Sequence, residues 1–297
     1  MIDGPRTCSI ETATRSQSPT ARRRAVLVAP GSDERKALRA LRSQADEVVI
    51  DLEDSVSVAD KSRARTGLGR LIGQQGRSEF CVRINSLSTS WGRADVRMCA
   101  DTAGITSIVV PKVETAADLL GVAAMVAGTP IRLQALIETP RGLTNIGTIA
   151  QAVDSLDTLI IGYADLGALL GRAPDLPPKH WLWVQDQVLV AARAAGIQAI
   201  DGPCLSVADD QPLRESAEWS QSLGFDGKWV IHPAQISTVT DIFTPSPDAV
   251  EHARRVLDTL QTAAADGIGA VQLEGQMIDE AVAVAARRVL TLAAATP

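Results

Sequence analysis

The chain has 297 residues, 45% hydrophobic and 22% charged, which excludes a disordered polymer and allows one sizeable core. Its net charge of -6, from 29 basic and 35 acidic residues, argues against a protein that lives on nucleic-acid backbone. Apolar runs are too short to span a bilayer, and the first 24 residues are polar, ending in Arg22-Arg23-Arg24 with no apolar signal core. The reading is a cytoplasmic protein with no membrane or nucleic-acid partner.

A polar tail over 1–23 precedes a regular alternation of β-rich and amphipathic helical runs. Strands are predicted at 25–28, 47–52, 79–84, 106–110, 131–137, 158–161, 197–200 and 228–231. Helices are predicted between them at 34–45, 59–72, 116–126, 147–152, 178–195 and 212–223. The spacing is close to the roughly 31 residues per unit expected when about 250 residues form eight β/α units. Runs such as Val48-Val49-Ile50 and Ile108-Val109-Val110 are apolar at consecutive positions, as a parallel sheet buried on both faces requires. An open doubly wound sheet is the rival, but Pro30-Gly31-Ser32 is only a turn and not a dinucleotide fingerprint. Polar residues follow nearly every strand rather than one crevice, so a closed (β/α)8 TIM-type barrel over 24–243 is favoured. Beyond it, 244–297 reads as a turn (Phe243-Thr244-Pro245-Ser246-Pro247), a helix at 248–265, a hairpin at 267–274 and a helix at 279–294. This appendage is too small to fold alone and must pack on the barrel or on a neighbouring subunit.

Cys8, Cys81, Cys99 and Cys204 show no CxxC spacing, and the three histidines are far apart, so zinc and a disulfide framework are poor fits. Any metal must be held by carboxylates, which points to a hard cation such as Mg²⁺. In a β/α barrel the site lies where strands end. Those ends carry Pro30-Gly31, Glu53 and Asp54, Arg83 and Asn85, Lys112 and Glu114, Glu138 and Arg141, Asp165, Asp201 and His232. Glu138 and Asp165 follow two successive strands and form the best metal pair; equally, each could cap the helix that starts near Pro140 or Leu166. Arg83 carries a fork suited to a carboxylate or a developing oxyanion, or else pairs with Glu53 or Asp54. Glu53 and Asp54 could share water or metal duties, or pair with Lys61, Arg63 or Arg65. Lys112 reads as a structural ion-pair partner and His232 as a strand-closing residue. Trp181 and Trp183 suit subunit or loop packing.

The segments 29–31, 51–56, 83–85, 111–114, 137–142, 162–167, 224–235, 243–247 and 275–281 resemble the citrate lyase beta-subunit-like family, relatives of malyl-CoA and citramalyl-CoA lyases in the HpcH/HpaI aldolase/citrate lyase superfamily. One departure is Ala29, where many members carry valine. The resemblance implies a TIM-type barrel in a homotrimer or other homo-oligomer, with Mg²⁺ on Glu138 and Asp165. It implies that Arg83 binds the keto-acid or carboxylate end, within a substrate site formed with Pro30, Gly31, Asp54 and Asn85. Glu53 and Asp279 join Arg83 as catalytic candidates. By its position Asp279 is a helix N-cap; the resemblance makes it the acid–base delivered from a neighbouring subunit. The implied reaction is Mg²⁺-dependent carbon–carbon cleavage, or the reverse condensation, of a 3-hydroxy-3-carboxyacyl thioester such as malyl-CoA, citramalyl-CoA or citryl-CoA. The acyl group would be carried on coenzyme A or an acyl carrier. The alternatives are an aldolase of free 2-keto-4-hydroxy acids, a malyl-CoA thioesterase or malate synthase-like activity, and an accessory beta subunit inactive alone.

Overall fold

The computed structural model describes residues 22–173, 176–208 and 211–294. Most of the predicted tail, with Cys8, lies outside them. Eight strands close into a parallel barrel in sequence order: β1 Ala25–Pro30, β2 Glu47–Asp51, β3 Glu79–Arg83, β4 Ser107–Val110, β5 Arg132–Ile137, β6 Leu156–Ile161, β7 Gln198–Asp201 and β8 Gly227–Val230. The register aligns Pro30 with Asp51 and Asp51 with Arg83, so the ends of the first three strands finish level.

Alternation along each strand decides what faces inward. Val26, Val49, Cys81, Val109, Leu136, Ile160, Ile200 and Trp229, one from each strand, fill the barrel with a dry layer. Leu27, Ile50, Val82, Ile108 and Ile161 face the helices in the outer core. Below the dry layer, at the N-terminal end, Arg23 donates to Glu47 (2.8 Å), Thr158 (3.0 Å) and Asp157 (3.2 Å). Gln134 donates to Glu47 (2.8 Å) and Ser107 (3.0 Å) in the same layer. Arg23 is buried and works as part of the barrel floor.

A further helix forms over Gly92–Asp101, where the buried positions, Gly92, Asp95, Val96 and Cys99, make no apolar stripe that would announce it in the sequence. The helix expected at 147–152 forms instead as two short ones, Pro140–Thr144 and Ile146–Ala150. The terminal hairpin is shifted, with β9 (Val271–Leu273) and β10 (Gln276–Ile278) antiparallel around Glu274 and Gly275, which both take positive φ.

Helices Pro247–Ala265 and Glu280–Ala294 pack on this hairpin around Ala253, Val256, Ile278 and Ala286, a cluster separate from the barrel core. The appendage is pinned to its own barrel by Arg288, which donates to the Gly224 carbonyl (3.0 Å) and to Asp226 (2.7 Å) just before β8. That anchor lies at the N-terminal end of the strands, opposite the end where the candidate site sits. No helix among the described residues is long and apolar enough to cross a membrane.

Candidate active site

Glu138 follows β5 and is 2% exposed. It does not cap the following helix, because Thr139 does so, its hydroxyl accepting the Gly142 N–H at 3.0 Å. The carboxylate is thereby left facing the barrel axis, in step with Leu136. One oxygen accepts the backbone N–H of Lys112 at 2.8 Å; Lys112 holds φ +51°, a left-handed turn uncommon outside glycine. Gly162, next after β6, gives the carboxylate its room: a Cβ there would lie 2.5 Å from Glu138 Cβ and 2.7 Å from Oε2. Gly162 also opens the helix Tyr163–Leu169, so Asp165 sits within its first turn rather than capping it. The Asp165 carboxylate lies 3.8 Å from Lys112 Nζ. Burial pushes the Glu138 carboxyl up to about 8; Lys112 and Arg83 oppose that, while Glu53 and Asp165 add to it.

Arg83 is committed differently from the expectation. Its Nε and Nη2 form a bidentate pair with Asp51, at 2.7 and 2.6 Å, so the fork is not free for a substrate carboxylate. The remaining Nη1 lies 3.4 Å from Glu53. Against the cost of burial, the Arg83 charge and hydrogen bonds hold the Asp51 carboxyl below its ordinary range. Asp51 also accepts the N–H groups of Glu53 (2.8 Å) and Ser55 (3.0 Å), and so shapes the loop that presents Glu53. Glu53 pairs with the Lys112 ammonium, which reaches Asp54 at 3.1 Å; burial raises the Glu53 carboxyl. The alternative partners are engaged elsewhere: Lys61 on the carbonyls of Leu52 and Glu53, Arg63 on Asp60, Arg65 on Asp95.

A cavity of about 640 Å³ opens beside this cluster, lined by Glu53, Asp54, Lys112, Trp91 and Thr139. Asn85 also lines it, but its amide donates to Leu52 O (2.9 Å) and Asp95 (2.6 Å) and so holds the loop after β3 in shape. Gly31 donates its N–H to the Asp51 carbonyl at 2.8 Å and borders a second cavity of about 330 Å³ with Arg35, Arg63 and Arg70. Pro30 ends β1 beside Asp51. Lys112, expected from sequence as an ion-pair partner, pairs with Glu53 and Asp54 and lies within this cluster. Asp201 turns to the outer face of the barrel, where it pairs with the buried Lys228. His232 caps the short turn after β8, its Nδ1 accepting the Ala234 N–H at 3.2 Å. Of the two tryptophans, Trp181 is buried and Trp183 exposed.

Among the described residues no cluster of three or more Asp, Glu, His or Cys is assembled for a metal. The carboxylates nearest the barrel mouth that could serve as donors are Glu138 and Asp165. Two carboxylates suit a hard cation such as Mg²⁺, which keeps several waters and takes further oxygens from substrate. Asp279 caps the last helix, its Oδ1 accepting the N–H groups of Ala281 (3.0 Å) and Val282 (3.2 Å). It belongs to the appendage, not to the cluster at the strand ends.

The HpcH/HpaI aldolase/citrate lyase family description matches residues 24–233. A (3S)-malyl-CoA thioesterase of Cereibacter sphaeroides is 37% identical over 277 residues, covering 92% of this chain and 95% of the relative. An L-malyl-CoA/beta-methylmalyl-CoA lyase of the same species is 34% identical over 290 residues, covering 88% and 91%. The protein CitE of Mycobacterium tuberculosis, solved in complex with magnesium, acetoacetate and coenzyme A, superposes with a TM-score of 0.76 at 32% identity, covering 92% of this chain and 99% of that one.

Proposed function

The chain belongs to the HpcH/HpaI aldolase/citrate lyase family, and we propose that it cleaves the carbon–carbon bond of a 3-hydroxy-3-carboxyacyl-CoA of the malyl-CoA type with Mg²⁺ as cofactor. The observation that carries this reading is the buried Glu138 with Asp165 across Lys112 from it, beside the Arg83 Nη1 that shares Glu53. Magnesium and coenzyme A in the related structure support the same assignment.

Glu138 and Asp165 would hold the cation, which when bound polarises the hydroxy-acid oxygens and fixes the substrate. Arg83 Nη1 orients the carboxylate end. Glu53, next to that arm, takes the hydroxyl proton. The bond between the carbinol carbon and the thioester α-carbon then breaks, its electron pair passing to the thioester enolate as the carbinol becomes the keto group. A proton from Asp279 of a neighbouring subunit completes acetyl-CoA. The Arg288 anchor supports delivery in trans, because it ties the appendage to the far end of its own barrel. The exposed Met277 and Val284 give the appendage an apolar face for a homo-oligomeric neighbour.

Hydrolysis of the same thioester is the second reading, favoured by the relative that is 37% identical. The isolated chain incubated with (3S)-malyl-CoA and Mg²⁺ separates the two. Glyoxylate with acetyl-CoA marks the lyase, and malate with free CoA thiol the thioesterase. Turnover of neither malyl-CoA, citramalyl-CoA nor citryl-CoA would overturn both.

A further inference from the structure

Asp165 is held by the helix that carries it more than by any partner of its own, since Lys112 Nζ at 3.8 Å is beyond hydrogen-bond length. What aims that helix is its first residue, Tyr163. Two positions apart on a helix, Tyr163 and Asp165 leave in nearly opposite directions. The phenol therefore reaches away from the mouth, to the outer face of the barrel, where it donates to Asp201. It also accepts from Gln185 Nε2 at 2.8 Å, and Gln185 Oε1 accepts from Trp219 Nε1 at 2.9 Å. Asp201 is neutralised by Lys228, which is 0% exposed and also donates to the Gly202 carbonyl at 2.7 Å.

The ring is as confined as the hydroxyl. Trp181 packs against it with centroids 4.8 Å apart, and a Cβ at Gly202 would lie 2.6 Å from Tyr163 Cδ2. A buried ion pair is a poor device for stability, because well-packed apolar residues of the same volume usually do as well. Its distinctive property is direction: Asp201, fixed by Lys228, accepts the phenol along one line only. We propose that Tyr163 is a positioning residue, its hydroxyl clamped on the Asp201–Lys228 pair so that the helix presents Asp165 at the angle needed to meet Glu138 at one cation.

This inference rests on the reading of Glu138 and Asp165 as the metal pair, and the test separates the two. Mg²⁺ alone is titrated calorimetrically into the wild type, Asp165→Ala, Tyr163→Phe and Trp219→Phe, with Tm recorded for each. Tyr163→Phe keeps the ring and removes only the hydroxyl. It should raise the Mg²⁺ Kd by about 10-fold, the low end of the range for losing a direct partner of a metal ligand, since Tyr163 acts through the helix. Trp219→Phe breaks the same network at its far end and should lower Tm while leaving the Kd within about twofold. If Asp165→Ala abolishes binding but Tyr163→Phe binds like the wild type, the positioning role is wrong and the metal pair stands. If both Tyr163→Phe and Trp219→Phe weaken binding in step with Tm, the network is merely structural and the proposal fails. Wild-type binding by Asp165→Ala would remove the metal pair, and the inference with it.

Discussion

Replacing Gly162 by alanine perturbs the metal pair without touching either carboxylate. The backbone there has φ -102° and ψ 87°, which alanine can adopt, so the cost is contact alone. The new methyl would stand 2.5 Å from Glu138 Cβ and 2.7 Å from Oε2, and ordinary contact needs roughly 1 Å more. Glu138 cannot simply swing aside, since its Oε1 is held by the Lys112 N–H at 2.8 Å and its backbone continues β5. Either the carboxylate or β6 must move. Overpacking of this kind costs about 1–3 kcal/mol, and each kcal/mol lowers Tm by roughly 2–4 °C in a domain of this size. Displacement of a ligand by that much should weaken Mg²⁺ at least about tenfold, or ~1.4 kcal/mol. Calorimetric Mg²⁺ titration with scanning calorimetry measures both. Gly147→Ala is the control: it lies in a helix with nothing within 4 Å of the added methyl, and should stabilise by about 0.5–1 kcal/mol without altering Mg²⁺ affinity. A Gly162→Ala protein that binds Mg²⁺ within about twofold of the wild type would refute the geometry.

The Glu138 carboxyl, raised to about 8 from 4.5, favours the protonated folded state. In metal-free protein its stabilising contribution is therefore full below pH 4.5 and lost as pH rises through about 8, a dependence that Glu138→Gln should abolish in denaturant titrations across that range. Mg²⁺ affinity should move the other way, rising up to about tenfold per pH unit until that carboxyl is ionised, because the cation needs the carboxylate. Arg83→Lys should unfold more readily, by less than the roughly 3–5 kcal/mol of removing the partner outright, since the ammonium keeps a charge beside the buried Asp51 but loses the bidentate fork. It should also lose ~10²–10³ in kcat/KM, and chemical denaturation alongside rate assays distinguishes the two losses. Asp279→Asn should keep the helix cap and Mg²⁺ binding yet lose turnover; near-normal rates would place the proton donor elsewhere.

The eight strands are legible because each is apolar at consecutive positions, and Glu138 stands out because a charge directly after such a run has no packing purpose, whereas Asp165 lies four residues beyond β6, inside a helix. Strand parity was the information that a list of strand ends lacks. Asp51, Arg83 and Glu138 share the inward parity of Val49, Cys81 and Leu136, whereas Asp201 follows the inward Ile200 and so points out to meet Lys228. The inward turn of the Lys112 amide and the space left by Gly162 depend on contacts between distant segments, and no local pattern announces them. The pairing of Arg83 with the neighbouring strand is legible, but its main partner is Asp51 rather than Glu53 or Asp54, because Asp51 shares its inward parity and register.

The barrel closes along a seam where Ala25 pairs with Lys228, and a Cβ on Gly227 would lie 1.7 Å from the Arg23 carbonyl. Arg23 and β1 are made well before the partners that neutralise and cover them, Asp157, Gln198 and β8. Throughout that interval β1 has an open edge and Arg23 has Glu47 but lacks Asp157, Thr158 and Gln198. Such late, long-range closure slows folding and leaves the nascent strand open to wrong partners. Substitutions at Gly227 should therefore spare the separate β/α units and fail at the step where the ring must shut.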